Sequence, residues 1–167
     1  MKTKEQWVQE LGLMPHPEGG FYKETYRAED QLDLNSIYPS RDGKRSLSTG
    51  IYFLLDSENF SAFHRIQSDE MWHFYDGDPL MIHMIDDEGN YSSQSIGRDI
   101  RNGEKLQYVV KGGVWFASEV SRGGNYSLVG CTVSFGFDFQ DFELADYKLI
   151  ERFSHHEMLI KRLIRSS

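Results

Sequence analysis

Apolar and polar positions alternate along most of the chain, in short runs that are separated by turn residues. After residue 47, the runs with the length and composition of strands are 48–55, 60–66, 70–75, 79–85, 91–97, 106–110, 114–119, 126–133 and 135–139. A turn signal follows every eight to twelve residues, which is typical of an all-β sandwich or barrel. We therefore predict an all-β fold with many short strands.

Two short helices are predicted at the ends of this β-rich chain. The first covers residues 3–11, where apolar positions share one helical face and a capping box begins at Thr3. The second covers residues 155–165 and begins with another capping box at Ser154.

Residues 21–44 carry an early strand and a long polar segment. Residues 21–27 (FYKETYR) alternate with polar groups on both faces, which suits a strand beside a pocket or at an interface. Residues 28–44 are rich in Asp, Asn, Ser, Pro and Gly and predict a long exposed loop. A loop of this length usually covers a site or makes a contact.

Composition narrows the functional classes. A chain of 167 residues predicts a single domain, residues 1–167. Its net charge of −8 argues against a nucleic-acid or an anionic membrane partner. Cys131 is the only cysteine, so no intrachain disulfide can form, and we expect a buried core thiol. Neither a signal peptide nor a membrane span is predicted, and we expect a cytoplasmic protein.

The densest group of chemically active residues lies in residues 63–77, FHRIQSDEMWHFYDG. On a strand, side chains at positions i and i+2 share a face. Glu70 therefore lies with Trp72 and Phe74 on one face, and His73 lies on the other. If His64 and Glu70 both point inward, they converge across adjacent strands and form an acid–base pair. A neutral-pH base is the ordinary use of such a histidine.

At this stretch the sequence resembles the cupin superfamily. His64, Glu70 and Gly77 match the spacing of the first cupin motif, but Ile66 stands where the second histidine belongs. In the weakly matched second motif, Trp115 stands where the last ligand histidine would be. Stable transition-metal sites need three or four protein ligands. We therefore predict no metal ligand and no cofactor, with a divalent metal kept as an alternative.

A narrower resemblance covers most of the chain. Four segments are similar to a cupin-like family of small cytosolic, mostly bacterial proteins with no established reaction: 16–27 (HPEGGFYKETYR), 51–55 (IYFLL), 63–80 (FHRIQSDEMWHFYDGDPL) and 128–144 (LVGCTVSFGFDFQDFEL). This resemblance implies a double-stranded β-helix, the jelly-roll barrel of cupins, which pairs into a homodimer. The architecture is similar to that of the dTDP-sugar 3,5-epimerases, the RmlC-like cupins, in which a barrel histidine is the base.

These observations lead to a prediction for the site. His64 and Glu70 are the predicted catalytic residues, with His64 as base and Glu70 as the acid or the group that orients it. The predicted substrate-binding residues are Phe21, Glu24, Arg27, Phe53, Arg65, Trp72, Trp115 and Phe137. Structural alternatives stay open for most of them. His64 could bond to a backbone carbonyl, Glu70 could pair with Arg65, and Glu24 could be a strand-edge charge. Core packing is the alternative for Phe53, Trp72, Trp115 and Phe137, and solvation is the alternative for Arg27 and Arg65.

Three functional hypotheses stay open at this point. The first is a barrel that binds a small polar metabolite, such as a sugar or nucleotide-sugar, with isomerase or epimerase chemistry. The second is a metal-dependent cupin enzyme that uses His64, Glu70 and His73. The third is a non-catalytic, dimeric ligand-binding protein.

Overall fold

Two antiparallel β-sheets face each other and enclose the interior of the protein. The computed structural model describes residues 1–165. Within these residues the strands are β1 (Met14–Pro15), β2 (Phe21–Arg27), β3 (Gln31–Asp33), β4 (Lys44–Ser46), β5 (Thr49–Asp56), β6 (Phe60–Arg65), β7 (Asp69–Gly77), β8 (Leu80–Ile85), β9 (Tyr91–Ile96), β10 (Gln107–Val110), β11 (Trp115–Val120), β12 (Tyr126–Ser134) and β13 (Glu143–Leu144).

The strand order identifies the fold. The first sheet has the order β1-β2-β5-β12-β7-β10, and the second has the order β13-β6-β11-β8-β9. From β5 to β13, successive strands therefore alternate between the two sheets, as in a double-stranded β-helix, except that β8 and β9 are paired neighbours in the second sheet. The predicted all-β fold with short terminal helices is confirmed. One expectation is wrong: His64 on β6 and Glu70 on β7 belong to facing sheets, so they do not lie on adjacent strands.

The inward side chains fill one end of the barrel with a hydrophobic core. This core contains Phe53 and Trp72 from the first sheet and Ile82 and Phe116 from the second. The ring centroids of Trp72 and Phe116 are 6.2 Å apart at 89°, an edge-to-face arrangement that aromatic pairs favour. Because this core fills only one end, space is left between the sheets at the other end.

Short helices cover the outer faces of both sheets. Helix α1 (Lys4–Leu11) begins at the predicted capping box, in which Thr3 accepts from the amide of Gln6, and it ends at Gly12. Its apolar face packs on the first sheet. Helices α2 (Tyr147–Arg152) and α3 (Glu157–Arg162) cover the second sheet through a separate apolar cluster. No helix in residues 1–165 combines the length and hydropathy that a membrane crossing needs.

The C-terminal helix differs from the prediction. The helical region begins at Tyr147, earlier than predicted, and a 3-10 turn at Ser154–His156 divides it. Ser154 does not cap the following helix. Asp146 caps the first helix by accepting from the amide of Lys148. The second predicted capping box is therefore wrong, because the helical region already begins after Asp146, more than one helical turn before Ser154.

Two segments at one end of the barrel also differ from the prediction. Residues 135–139 are not a strand: the chain bends there, and a 3-10 turn follows at Phe139–Asp141. Residues 28–44 are not simply an exposed loop, because they contain β3 and a 3-10 turn and pair with β4. The carboxylate of Asp141 joins these segments, since Arg41 and Arg45 both donate to it.

Candidate functional site

A cavity of about 450 Å³ occupies the end of the barrel that the hydrophobic core leaves unfilled. A smaller space of about 40 Å³ continues it toward the core, where Phe53 and Trp72 form its floor. The larger volume lies in the range of small-molecule sites. Five ionisable side chains border both spaces, namely His16, Glu18, His64, Glu70 and Cys131. Titratable groups from both sheets and from a connecting turn therefore meet in one cavity.

His64 lies on β6 with its ring packed 4.2 Å from that of Phe116, centroid to centroid. Its Nδ1 is 2.7 Å from the carbonyl oxygen of Ala62. Because a carbonyl only accepts, Nδ1 carries the proton and Nε2 holds the lone pair. Burial lowers the pKa of His64 to about 4, so the imidazole is neutral at pH 7. The structure thus presents His64 as an unprotonated base.

Glu70 faces His64 from β7 of the opposite sheet. Only 9% of the residue is exposed, and Trp72 shares its inward face as predicted. Burial raises the pKa of the Glu70 carboxyl to about 7, because desolvation penalises the charged form, although the Cys131 thiol opposes the shift. Burial also keeps the pKa of Cys131 well above its ordinary value. Near neutral pH, Glu70 therefore exchanges between its acid and base forms while Cys131 stays a thiol.

His16 and Glu18 are functional candidates that the sequence prediction missed. They lie on the turn between β1 and β2, and the amide of Glu18 donates to Nδ1 of His16 over 3.1 Å. Burial lowers the pKa of His16 to about 4. Burial raises the pKa of Glu18 to about 7, with a further contribution from the charge of Glu70. The sequence feature that could have indicated them is a His and a Glu within a turn that also contains Pro15, Pro17 and two glycines.

The two glycines of this turn explain how it reaches the cavity. Gly20 has φ +76°, and a Cβ there would lie 2.6 Å from the carbonyl oxygen of Leu54 on β5. Gly19 has φ +110° and lies against Arg165, whose guanidinium donates to the carbonyl of Glu18 over 3.0 Å. A turn with side chains at these positions could not lie so close to Leu54 on β5 and Phe60 on β6.

The mouth of the cavity combines an ion pair with aromatic rings. Arg27 donates to the carboxylate of Glu24 over 2.6 Å and to the carbonyl of Phe137 over 3.2 Å. A bulge in the pairing of β2 with β5 after Glu24 turns Glu24 and Arg27 toward the same face. The rings of Phe137 and Phe139 are 5.0 Å apart. Glu24, Arg27 and Phe137 therefore lie beside the cavity.

Three predicted substrate-binding residues do not lie in this cavity. Phe21 packs under α1 on the outer face of the first sheet. Arg65 follows His64 on β6 and therefore points outward, where it pairs with Glu143 over 2.7 Å. Trp115 also faces outward, into the apolar cluster beneath the C-terminal helices, with the Arg65 guanidinium 4.6 Å from its ring centroid. Strand alternation accounts for all three positions.

His73 lies outside the cavity, as the alternation predicts. Its Nε2 is 3.0 Å from the hydroxyl of Thr132, and its Nδ1 is 3.1 Å from the amide of Gln107. Both contacts are to neighbouring strands on the outer face of the first sheet. His73 therefore cannot join His64 and Glu70 in one group of ligands.

The residues present do not fit the metal centre that many cupins use. The inward position beside His64 is Ile66, and the inward residue opposite it on β11 is Phe116, so both positions are apolar. Among residues 1–165, no three His, Cys, Asp or Glu side chains are grouped to hold a metal ion.

Comparison with known proteins identifies the family of this chain. The model of the Cupin_5 family, described as Cupin superfamily (DUF985), matches residues 5–145. The chain belongs to this family. The Cupin_5 chain is 30% identical over 146 residues to the uncharacterized protein YML079W of Saccharomyces cerevisiae, covering 82% of this chain and 72% of that protein.

Two solved structures resemble this Cupin_5 protein over its whole length. A hypothetical protein from Leishmania major has a TM-score of 0.90 and 39% identity, covering 99% of this chain and all of that chain. Protein SO0799 from Shewanella oneidensis has a TM-score of 0.88 and 38% identity, covering both chains completely. The cupin barrel is thus shared with relatives from distant organisms.

Proposed function

We propose that this protein binds a small polar metabolite in the barrel cavity and isomerises it by proton transfer. The proposal rests on two ionisable side chains that face the cavity from opposite sheets in different protonation states. His64 faces it as a neutral imidazole, with its pKa lowered to about 4, and Glu70 faces it as a carboxyl with its pKa raised to about 7. Environments that separate two pKa values in this way assign a base and an acid.

The proposed step moves one proton off the substrate and one proton onto it. Nε2 of His64 removes a proton from a carbon next to a carbonyl group, and the electron pair of that C–H bond moves toward the carbonyl oxygen. Glu70 donates its proton to that oxygen, which gives a neutral enediol or enol. Return of the protons to different atoms, or to the other face of the carbon, completes an isomerisation or an epimerisation.

The surroundings of the pair suit this chemistry. Phe116 and Phe142 pack on His64, with ring centroids 4.2 and 5.4 Å away, and so hold the imidazole plane. The hydrogen bond to Ala62 fixes the tautomer that leaves Nε2 as the acceptor. Proton transfer by positioned groups of this kind contributes roughly 10²- to 10⁴-fold to a rate.

Exchange of carbon-bound hydrogen with solvent tests the proposal directly. The protein is incubated in D₂O with a panel of aldoses, ketoses, sugar phosphates, amino sugars and nucleotide-sugars, and proton NMR follows the loss of individual C–H signals. We expect exchange for at least one compound class. His64→Gln and Glu70→Gln should each slow that exchange by roughly 10²-fold or more.

His73→Gln is the matched control, because it changes a histidine on the outer face of the first sheet, away from the cavity. It should leave the exchange rate within twofold of the wild type. A folded His64→Gln variant that exchanged its substrate at the wild-type rate would overturn the assignment of the base.

A further inference from the structure

The walls of the cavity carry more acidic than basic side chains. Four carboxyl groups border it, from Glu18, Glu24, Glu70 and Asp138. The basic side chain at its border is Arg27, and this guanidinium already pairs with Glu24 and with a backbone carbonyl. The charges of Arg27 and Glu24 cancel, so the other three carboxyl groups give the cavity lining a negative formal charge.

Glu18 and Glu70 are the two buried members of this acidic set, with 5% and 9% of their surface exposed. Within residues 1–165, neither carboxyl forms a salt bridge to a lysine or an arginine, although Glu18 lies 3.3 Å from Nδ1 of His16. Arg165 approaches Glu18 from behind the turn, but it donates to the backbone carbonyl. A buried carboxylate without a cationic partner is costly, and a bound cation can offset that cost.

We propose that the metabolite bound in this cavity carries a positively charged amino group that pairs with Glu18 and leaves Glu70 free for proton transfer. This inference rests on the proposed function, because it names the substrate class of the same site. Glu18 is the better cation partner because the nearby charge of Arg165 favours its ionised form. The rings of Phe137, Phe139 and Phe142 at the mouth can pack on the uncharged part of such a ligand.

An anionic metabolite would meet the opposite environment. A phosphate or carboxylate entering the cavity would approach Glu18 and Glu70, while the guanidinium at the mouth is already bonded to Glu24. Like charges at short range disfavour binding in a partly desolvated site. Nucleotide-sugars, which carry two phosphates, are therefore a poorer match to this lining than amino sugars or other amines.

The pH dependence of cation binding follows from the groups that face Glu18. Burial raises the pKa values of Glu18 and Glu70 to about 7, so their carboxylate forms become populated between pH 6 and pH 8. His16 and His64, with pKa values lowered to about 4 by burial, stay neutral over that range. The guanidinium of Arg165 keeps its charge. Cation affinity should therefore rise with pH.

Two sets of size-matched compounds test this proposal. The first set is trans-4-aminocyclohexanol, trans-cyclohexane-1,4-diol and trans-4-hydroxycyclohexanecarboxylate, and the second is pentane-1,5-diamine, pentane-1,5-diol and glutarate; both amines stay charged at pH 6 and pH 8. Dissociation constants are measured by ligand-observed NMR at pH 6 and pH 8. In each set the cation should bind at least about tenfold more tightly than the neutral compound at pH 8, and the anion should bind most weakly. The preference should narrow at pH 6.

Variants locate the effect. Glu18→Gln should abolish the preference for the cation, and Glu18→Asp, which keeps the charge, should retain it. Glu151→Gln removes an exposed carboxylate on α2 and should behave as the wild type. Circular dichroism establishes that each variant is folded. The proposal is overturned if neither cation binds, if a neutral or anionic compound binds most tightly, or if folded Glu18→Gln keeps the preference.

The outcomes separate this inference from the proposed function. If cations bind preferentially but no compound exchanges hydrogen in D₂O, the proton-transfer function fails and the substrate class stands. If exchange occurs only with neutral or anionic compounds, the function stands and the substrate class fails.

Discussion

The carboxylate of Asp141 joins the segments at the mouth of the cavity, and replacing it tests whether this contact stabilises the protein. Its side chain is 6% exposed and accepts from Arg45 Nε and Nη2 over 2.9 Å each and from Arg41 Nη2 over 3.2 Å. Burial opposes the ionisation of Asp141, but the hydrogen bonds and charges of the two arginines outweigh it and lower its pKa. The single negative charge of Asp141 is therefore the counter-charge of two buried guanidinium groups.

Replacing Asp141 by Asn should therefore be costly. The substitution keeps the shape of the side chain but leaves two buried guanidinium groups without their counter-charge. Breaking a buried ion pair from one side typically costs about 3–5 kcal/mol. We expect a loss of that size in the free energy of unfolding, which is a large part of the ~5–15 kcal/mol that stabilises an ordinary domain.

Urea unfolding followed by the fluorescence of the three tryptophans measures this loss. The matched control is Glu143→Gln, which removes one half of the more exposed Arg65–Glu143 pair, where the Glu143 side chain is 55% exposed. Exposed pairs contribute about 0–1 kcal/mol. An Asp141→Asn variant that lost less stability than 1 kcal/mol, or no more than the control, would refute the argument that this cluster is a buried counter-charge.

Four further outcomes follow from the site and the fold. Hydrogen exchange in D₂O should show a bell-shaped pH profile with apparent pKa values of about 4 and 7, because His64 must be unprotonated and Glu70 protonated; a rate that kept rising above pH 8 would contradict these roles. Since the folded-state pKa of Glu70 lies above the ordinary 4.5, its contribution to stability falls as pH rises from about 4.5 to about 7. Urea unfolding at pH 8 should accordingly show Glu70→Gln to be more stable than the wild type, by on the order of 3 kcal/mol at most, and an equal or lower stability would contradict the raised pKa. Gly20→Ala should lower both the melting temperature and the rate of substrate C–H exchange, because a Cβ 2.6 Å from the Leu54 carbonyl would push the turn that carries His16 and Glu18 away from β5. An unchanged melting temperature would contradict this close approach. Light scattering after size exclusion should give the mass of a dimer, with β2 as the expected contact, and a monomer at micromolar concentration would contradict that prediction.

Strand alternation predicted much of the site from sequence, because it depends only on neighbouring positions. It placed Glu70 and Trp72 on one face and His73 on the other, and the structure confirms this arrangement. Alternation also explains why Arg65, which follows His64 directly in the sequence, points to the opposite face of β6. Where a bulge follows Glu24, alternation alone could not have brought Arg27 to the cavity.

The contribution of connecting segments could not be predicted in the same way. The position of His16 and Glu18 depends on how a turn packs against β5, and a close approach of that kind is a long-range property. Residues 135–139 have the composition of a strand, but they do not form one. The Thr49 hydroxyl accepts a hydrogen bond from the amide of Phe137, and Asp138 caps the 3-10 turn that follows. In both places tertiary contacts outweigh the local pattern.

The two turns that close the cavity share one structural device. The turn that carries Glu18 is anchored by Arg165, which bonds to the carbonyls of Glu18 and Phe60. The turn Phe139–Asp141 is anchored by Arg45. Neither guanidinium group forms an ion pair with Glu18 or Glu70, so the two turns are held without neutralising the acidic interior. Burial therefore remains the main cause of the raised pKa values of both carboxyls, and the charge of Arg165 offsets that shift only in part for Glu18.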